Sequence, residues 1–465
     1  MRQVRVEQGW LEGVQQEACT AFLGIPYAAP PVGELRWRPP QPPIPWTGVR
    51  RADAYGHVAM QFCADTDGDD FYGREFAEPL HIPPDEDCLT LNVFTPADRA
   101  NARLPVMFFI HGGAFATGAG VAAYLGPEGL CSREVVLVSC NYRLNLFGFF
   151  THPWLDDEGS PGNQGLWDQL AALSWVRRNI AAFGGDPDNI TLFGQSAGAV
   201  SVQAWITSPL TRGWVAKAIL HSGGGLKGMA VDLPASQARK AAQRLIALTG
   251  ARNLAELRAV PAEDLVALAR QGSEQGAPLR YMPHVDGRLL PHGFHRGALL
   301  GQIHDIPLML GYTAQELNAL GGLSGMSSVM IGRACAHLAR RQHRLGRAPC
   351  YLYDFDRQLP GDSRGAYHMA ELWYVFGTLS RCWRQFTPGD EVLSRQMMDA
   401  WTAFAARGDP NAAGLPEWAP YDPHQPWAMH LDTSPHMGPM EFPRGKRLLV
   451  DAVMGLLHSC LGHGH

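Results

Sequence analysis

The chain has 465 residues, and its 46% of hydrophobic residues allow a large buried core, so it is neither disordered nor a low-complexity sequence. Its formal charge of -5 supplies no field for holding a phosphate backbone, which argues against nucleic-acid binding. No stretch reaches the roughly 20 consecutive apolar residues that cross a bilayer, and the first residues lack the apolar core of a signal peptide, so we expect a cytoplasmic protein without membrane insertion.

The predicted elements alternate between strands and helices through the first half of the chain. The N-terminal residues alternate like a strand that runs into a turn. A helix is predicted over residues 165–183, where apolar side chains recur at spacings of three and four. Short apolar runs, typical of parallel strands buried on both faces, occupy residues 104–110, 135–140, 190–193 and 216–220. This order predicts a doubly wound α/β sheet.

The second half continues with further helices and strands. Helices are predicted over residues 235–249, 254–259, 262–271 and 392–406, and strands over residues 306–310 and 351–355. No internal repeat and no Ser/Gly-rich linker interrupts the chain. We therefore expect a single α/β domain over residues 1–465, with helical excursions at about residues 226–300 and 317–347.

A candidate nucleophile lies in Gly194-Gln-Ser-Ala-Gly198, which fits the pattern G-x-S-x-G. The bare pattern also fits a small-residue turn, but here a predicted strand ends at Phe193 and a predicted helix follows over residues 197–206. The two glycines leave room beside a serine held in a strained turn from strand to helix. Ser196 is therefore predicted to stand exposed at a helix N-terminus, where the helix dipole favours negative charge.

A second part of the same chemistry precedes this turn. His111-Gly-Gly-Ala-Phe115 follows a predicted buried strand, which is where a fold with such a serine places the N–H donors of its oxyanion hole. We predict that the backbone N–H groups of Gly113, Ala114 and Ala197 bind the oxyanion. Losing one such donor typically costs about 10²–10³ in rate.

Several longer segments resemble the type-B carboxylesterases, the family of the cholinesterases and the bacterial p-nitrobenzyl esterases. They include Gly24-Ile-Pro-Tyr-Ala-Ala-Pro-Pro-Val-Gly, Glu86-Asp-Cys-Leu-Thr-Leu-Asn, Gly162-Asn-Gln-Gly-Leu-Trp-Asp-Gln and Ala182-Phe-Gly-Gly-Asp-Pro-Asp-Asn. The resemblance covers nearly the whole chain. It implies an α/β-hydrolase fold with a mostly parallel central sheet, helices on both faces and a reduced helical cap.

The resemblance also implies the other two members of a catalytic triad. The family's G-x-x-x-x-E segment is matched at residues 311–316 and makes Glu316 the acid. Its G-x-x-H-x-x-E/D-L segment is matched at residues 365–372 and selects His368 among the 18 histidines. Other carboxylates near strand ends are Asp305, Asp354 and Asp356. The chain order serine, glutamate, histidine is that of the α/β-hydrolases.

The implied activity is that of a serine carboxylesterase acting on carboxylic esters of small to medium size. His368 would take the proton of Ser196, Glu316 would orient the imidazole, and water would clear the acyl-enzyme. This chemistry requires no metal and no cofactor. The expected partner is a small-molecule ester, and the expected assembly is a monomer or a small homo-oligomer.

Three further residues, Gln195, Ser222 and Gly112, are expected to lie behind the reacting groups. Relatives commonly carry glutamate where Gln195 stands, so a charge that would favour a cationic substrate is absent beside the serine. Ser222 matches a family position from which it would hydrogen-bond near His368. Ala114 stands where many relatives have a third glycine, which makes the oxyanion loop less flexible.

Cys63 and Cys88 match the family positions of a disulfide-closed loop in secreted relatives, although a reducing cytoplasm would leave both as free thiols. The segment between them is rich in Asp and Glu, with Arg74 as its one Lys or Arg and no tryptophan. We expect a solvated acidic loop in preference to a substrate-steering surface. Its acidity argues against an interfacial lipase, and the missing tryptophan argues against a choline site.

The separation between Glu316 and His368 is short for the family, so we expect a reduced cap and a wide gorge over Ser196. A helix in this region is predicted to carry a solvated basic face and no binding site. The residues of this face are Arg333, Arg340, Arg341, Arg344 and Arg347.

Two other functions stay open at the level of sequence. The same triad would serve a carbamate, a thioester or an amide, because the serine turn and the oxyanion donors suit every acyl transfer. A non-catalytic binding protein on this fold is the second, and the presence of Ser196, Glu316 and His368 disfavours it. The natural substrate and the oligomeric state do not follow from the sequence.

Overall fold

The strands of the protein are defined by a computed structural model, which describes residues 1–61, 71–76, 81–160, 162–226, 232–274, 281–317, 325–440, 442, 444–446, 448–450 and 452. In chain order they are β1 (Gln3–Val6), β2 (Gly9–Glu12), β3 (Val14–Gln15), β4 (Thr20–Pro26), β5 (Val49–Arg51), β6 (Val58–Ala59), β7 (Pro84–Asp85), β8 (Thr90–Thr95), β9 (Leu104–Ile110), β10 (Val136–Cys140), β11 (Gly185–Gln195), β12 (Lys217–His221), β13 (Leu233–Pro234), β14 (His284–Val285), β15 (Leu308–Thr313), β16 (Cys350–Phe355), β17 (Trp427–Leu431) and β18 (His436–Pro439).

The helices lie between these strands. They are α1 (Phe71–Phe76), α2 (Glu128–Cys131), α3 (Asn145–Phe149), α4 (Pro153–Asp156), α5 (Gln164–Asn179), α6 (Ala197–Thr207), α7 (Ala235–Thr249), α8 (Leu254–Arg258), α9 (Ala262–Glu274), α10 (Phe294–Leu299), α11 (Met326–Arg344), α12 (Leu372–Val375) and α13 (Pro388–Arg407). Short 3₁₀ turns occupy Gly33–Leu35, Ile180–Phe183, Pro209–Thr211 and Leu379–Arg381. Within the described residues, no helix is both long and apolar enough to cross a membrane.

One large sheet organises the molecule. Its strands follow the order β18-β17-β16-β15-β12-β11-β9-β10-β8-β4-β3. The run from β17 to β10 is parallel throughout, whereas β18 at one edge and β8, β4 and β3 at the other are antiparallel. The predicted sheet is therefore confirmed as mostly parallel. Because parallel strands share a direction, the carboxyl ends of β9, β11, β12 and β15 meet along one edge.

Burial on both faces explains why the central strands read as continuous apolar runs. In β9, Val106, Phe108 and Ile110 join one core, while Met107 and Phe109 point into a second core on the opposite face. Helices α5, α6 and α11 cover the first core. Helices α12 and α13 cover the second, so the sheet is buried between two helical layers.

Several predicted elements are confirmed with their bounds nearly intact, and others differ. The helix predicted over residues 165–183 ends at Asn179, and the strand predicted over residues 190–193 extends over Gly185–Gln195. Helix α7 ends where glycine is expected, because Gly250 takes the left-handed backbone that closes a helix. Helix α13 begins at Pro388, four residues before the predicted 392–406. Its first turn is polar and is held by a capping box between Thr387 and Asp390, which apolar periodicity does not register. Strand β15 is shifted to 308–313 from the predicted 306–310.

The predicted helical excursions contain α7, α8, α9 and α10 in the first and α11 in the second. Residues 318–324 lie outside the described part of the chain, so the width of the gorge stays a prediction. On α11, Arg340 and Arg344 are exposed as expected of a basic face. Arg347 is different: it lies beyond the helix and donates to the backbone carbonyls of Ile303 and Gly301.

Candidate active site

Ser196 occupies a tight turn between β11 and α6. Its backbone has φ 55° and ψ −120°, a conformation that L-residues rarely adopt, and its N–H donates to the carbonyl of His221 on the neighbouring strand at 2.8 Å. A glycine is required at 198, because a Cβ there would lie 2.0 Å from the carbonyl oxygen of Ile110. The turn therefore depends on the close approach of β9, as the glycine pattern predicts.

The loop after β9 brings backbone donors to the same place. Gly113 and Ala114 both have positive φ, at 104° and 55°, which turns their N–H groups away from regular pairing. Within the described residues, neither N–H donates to a protein acceptor. Ala197 is the first residue of α6, so its N–H also has no partner inside the helix. The part these three N–H groups play toward an oxygen beside Ser196 stays a prediction.

The acid and the base are joined by two loops that run together. The loop after β15 and the loop before α12 pair through a bridge between Gln315 and Tyr367, and Gln315 N–H donates to Ala366. This pairing sets the adjacent residues, Glu316 and His368, side by side. His368 Nδ1 hydrogen-bonds Glu316 Oε2, while Glu316 Oε1 accepts from the backbone N–H of Thr313 at 2.9 Å.

The environment of His368 favours its protonation. Burial opposes the charged form, but the charge of Glu316, its hydrogen bond to Nδ1 and the charge of Glu371 together raise the pKa of His368 above its ordinary value. Glu316 itself is fully buried. A buried carboxylate on Nδ1 fixes the tautomer in which Nε2 carries the lone pair, which is the form that accepts a proton from a serine.

The alternative carboxylates are engaged elsewhere. Asp354 accepts from Tyr312 Oη at 2.8 Å, and burial raises the pKa of Asp354 to about 7. Asp356 pairs with His430 at 3.2 Å, and Asp305 accepts from the backbone of Ala348. In the described residues, none of the three contacts His368.

Ser196 and His368 open onto one cavity of about 180 Å³. Ala114, Ala197 and Ser222 also line it, so the predicted nucleophile, base and two oxyanion donors face the same space. The rest of the lining is mainly apolar and comprises Phe115, Val200, Met282, Pro283, Phe294, Leu317 and Ile331 with Gly223 and Gly224. Such a cavity fits an uncharged acyl or alkyl group.

Ser222 does not make the expected contact. Its N–H donates to Gly311, but its Oγ is buried and has no hydrogen-bond partner among the described residues. Gly112 lies close to Gln195, since a Cβ on it would lie 2.6 Å from the backbone oxygen of Gln195 and 2.9 Å from its Oε1.

Glu371 and His221 were not singled out by the sequence interpretation. Both are fully buried, and His221 Nδ1 lies 3.5 Å from Glu371 Oε1 and 2.8 Å from Tyr353 Oη. Trp401 Nε1–H donates to His221 Nε2 at 3.1 Å. The sequence signal was present, because Glu371 is the acidic position of the segment that selected His368. Only the structure shows that Glu371 is buried beside His221.

The predicted solvated acidic loop is wrong for two of its described acids. Glu75 on α1 is fully buried and pairs with Arg384 at 2.8 Å, and Glu86 pairs with Arg36 at 2.6 Å. Asp85 and Asp87 are exposed, as expected. Composition cannot reveal that Arg384, 309 residues away in the chain, neutralises Glu75.

The remaining acids of that segment, and Cys63, fall in residues 62–70 and 77–80, outside the described part of the chain. Cys88 is buried. Cys88 is a free thiol among the described residues, and a disulfide between Cys63 and Cys88 stays a prediction because Cys63 lies outside them.

Several known proteins are similar to this chain in sequence. The sequence model of the group described as "Carboxylesterase family" matches residues 1–328 and 323–445. A para-nitrobenzyl esterase of Bacillus subtilis is 33% identical over 92% of this chain and 94% of its own. Carboxylesterase 1E of Mus musculus is 32% identical over 89% of this chain and 85% of its own.

Solved structures of similar proteins superpose on this chain over nearly its whole length. A PNB esterase superposes with a TM-score of 0.85 at 31% identity, covering 97% of this chain and 99% of that one. A carboxylesterase of Geobacillus stearothermophilus superposes with a TM-score of 0.80 at 32% identity, covering 97% of this chain and 100% of that one.

Proposed function

Since the chain belongs to the carboxylesterase family, has the α/β-hydrolase fold and is a serine carboxylesterase that hydrolyses carboxylic esters, we propose that Ser196, His368 and Glu316 are its catalytic triad. The observation that carries this assignment is the shared cavity. Ser196 and His368 face it together, and Glu316 holds His368 from behind through Nδ1.

The first half of the reaction forms an acyl-enzyme. His368 Nε2 takes the proton of Ser196 Oγ, and the oxygen attacks the ester carbonyl to form a tetrahedral intermediate. The N–H groups of Gly113, Ala114 and Ala197 stabilise the oxyanion, and this role is supported by their lack of a backbone acceptor among the described residues. Collapse of the intermediate expels the alcohol, which takes the proton from His368.

The second half returns the enzyme to its starting state. His368 deprotonates a water molecule, which attacks the acyl-enzyme through a second oxyanion, and the carboxylic acid leaves as Ser196 regains its proton. Glu316 is fully buried and hydrogen-bonds His368 Nδ1, so it stabilises the imidazolium at both stages.

The proposed substrates are uncharged carboxylic esters of small to medium size. The cavity of about 180 Å³ is lined mainly by apolar side chains, and Gln195 places no charge beside the serine. We also propose a cytoplasmic location without nucleic-acid binding. It is supported by the free thiols among the described residues, which a reducing compartment preserves: Cys19, Cys88, Cys131, Cys140, Cys335, Cys350 and Cys382.

Hydrolysis of p-nitrophenyl esters from acetate to decanoate tests this proposal. We expect activity on the shorter esters and a fall of about 10⁴-fold or more in kcat for Ser196→Ala, because the nucleophile is lost. Ser132→Ala is the matched control, since Ser132 is exposed and lies outside the cavity. Unchanged hydrolysis by Ser196→Ala would refute the nucleophile assignment.

A further inference from the structure

The side chain of Gln195 reaches the reacting nitrogen of His368. Its amide Nε2 lies 3.0 Å from His368 Nε2, and the residue is fully buried. Glu316 can only accept, so the proton of a neutral His368 resides on Nδ1 and Nε2 offers a lone pair. The contact is therefore a hydrogen bond from the amide N–H of Gln195 to that lone pair. If the amide were reversed, its oxygen would face the lone pair of His368 Nε2, and two acceptors would repel each other.

This hydrogen bond occupies the position that Ser196 must use. In the described part of the chain, Ser196 Oγ makes no hydrogen bond to His368. The resting base is thus held by the glutamine. Before the serine proton can move to Nε2, the amide N–H has to withdraw.

The other end of the amide is unused. Gln195 Oε1 is buried and has no hydrogen-bond partner among the described residues. It lies beside the oxyanion loop, where a Cβ on Gly112 would come within 2.9 Å of it. A buried acceptor without a partner is destabilising, so its retention next to a base calls for a role.

Proton transfer supplies a partner for that oxygen. When Ser196 Oγ–H passes its proton to His368, Nε2 becomes a donor and can no longer accept from the amide N–H. A half-turn of the amide then presents Oε1 to the new N–H. A glutamate at this position could only accept and would favour the imidazolium alone, whereas glutamine suits both forms.

We propose that Gln195 is a positioning residue of this esterase: its amide donates to the neutral His368 between turnovers and turns to accept from the imidazolium formed when Ser196 is deprotonated. This inference rests on the proposed triad. The charged groups that face His368 are Glu316 and Glu371, with His221 and Tyr353 packed behind Glu371. Gln195 is the neutral partner among them.

Two variants of similar size separate the two roles of the amide. Gln195→Glu keeps the acceptor, removes the donor and adds a charge, while Gln195→Met removes both. The measurement is kcat/KM for p-nitrophenyl butyrate across the acid limb of the pH profile. For Gln195→Glu, we expect the limb to move up by about one to three pH units, because a carboxylate at this distance stabilises the imidazolium. For Gln195→Met, we expect the limb to stay near that of the wild type, since each protonation state loses one partner.

The other outcomes overturn the inference in distinct ways. If the acid limb also moves to higher pH in Gln195→Met, the glutamine only donates, and the proposed rotation of its amide is refuted. An unmoved limb in Gln195→Glu refutes the contact and leaves Gln195 a packing residue. Coincident thermal transitions for the two variants and the wild type assign these changes to the site and not to unfolding.

A second readout does not depend on turnover. In Ser196→Ala protein labelled with ¹⁵N-glutamine, the NH₂ signal absent from the Ser196→Ala/Gln195→Met double variant belongs to Gln195. We expect this signal to shift as His368 is protonated, because its N–H loses the lone pair. A signal that ignores pH, in a Ser196→Ala protein that is inactive, overturns this inference while the proposed function stands. Activity in Ser196→Ala overturns the proposed function itself.

Discussion

His368 is the proposed general base, and we expect its partners to set the pH at which the enzyme works. Glu316 and Glu371 raise the pKa of His368 against the opposing effect of burial. The reaction needs the neutral imidazole, so activity is lost as the pH falls through that raised pKa. We therefore expect the acid limb of kcat/KM to lie above about pH 6.5, the ordinary value for histidine.

Replacing Glu371 by glutamine tests the contribution of the more distant charge. Loss of one negative charge lowers the pKa of His368, so the acid limb of Glu371→Gln is expected at lower pH than that of the wild type. The plateau of kcat at high pH is expected to change less, because Glu316 still orients the base. The measurement is the pH profile of p-nitrophenyl butyrate hydrolysis. An acid limb that rises or stays in place would contradict the role of Glu371.

Helix α1 shows how an ion pair between residues far apart in the chain positions a short element. Phe71 and Phe76 pack on Tyr367, the residue before His368, and Glu75 accepts hydrogen bonds from Trp383 and Arg384. The six-residue helix is too short to be stable alone. Its position beside the catalytic loop therefore depends on this buried ion pair and on the aromatic contacts.

Adjacent residues of α1 provide a matched test. Glu75→Ala removes the acceptor of Trp383 and Arg384, while Arg384 keeps Asp362 as a carboxylate partner, so we expect the free energy of unfolding to fall by about 1–3 kcal/mol. Arg74→Ala removes an exposed side chain that lies over the Trp383 ring at 5.1 Å, and we expect a loss of about 1 kcal/mol or less. Urea unfolding of both variants measures the difference. Equal losses in the two variants would show that the buried ion pair contributes no more to stability than the exposed Arg74 contact.

The elements also show how far sequence patterns reach. Strands β9, β10 and β16 are predictable because burial on both faces leaves a continuous apolar run, and Ser196 is predictable because its turn needs glycines at fixed positions. Glu316 and His368 followed from a family resemblance. Glu75, His221 and the amide of Gln195 could not be predicted, because their roles depend on partners far away in the chain: Arg384, Glu371 and His368.

The whole molecule brings the triad together through one sheet. Ser196 follows β11, Glu316 follows β15, and His368 lies in the loop that pairs with the residues after β15. Strand β12 pairs in parallel with both β11 and β15, so the positions of Ser196, Glu316 and His368 depend on one continuous sheet. This connectivity supports the proposal that residues 1–465 form a single domain.

A single cooperative domain makes a prediction about unfolding. Buried tryptophans report on both faces of the sheet, with Trp175 and Trp205 in one core and Trp373 and Trp401 in the other. We expect tryptophan fluorescence, far-ultraviolet circular dichroism and residual esterase activity to give the same thermal midpoint, as two-state unfolding requires. Ser196→Ala is the control, and its fluorescence and dichroism midpoints should match those of the wild type. Loss of activity and dichroism at a clearly lower temperature than fluorescence would mean that the helices α7, α8 and α9 unfold as a separate unit, and would refute the single domain.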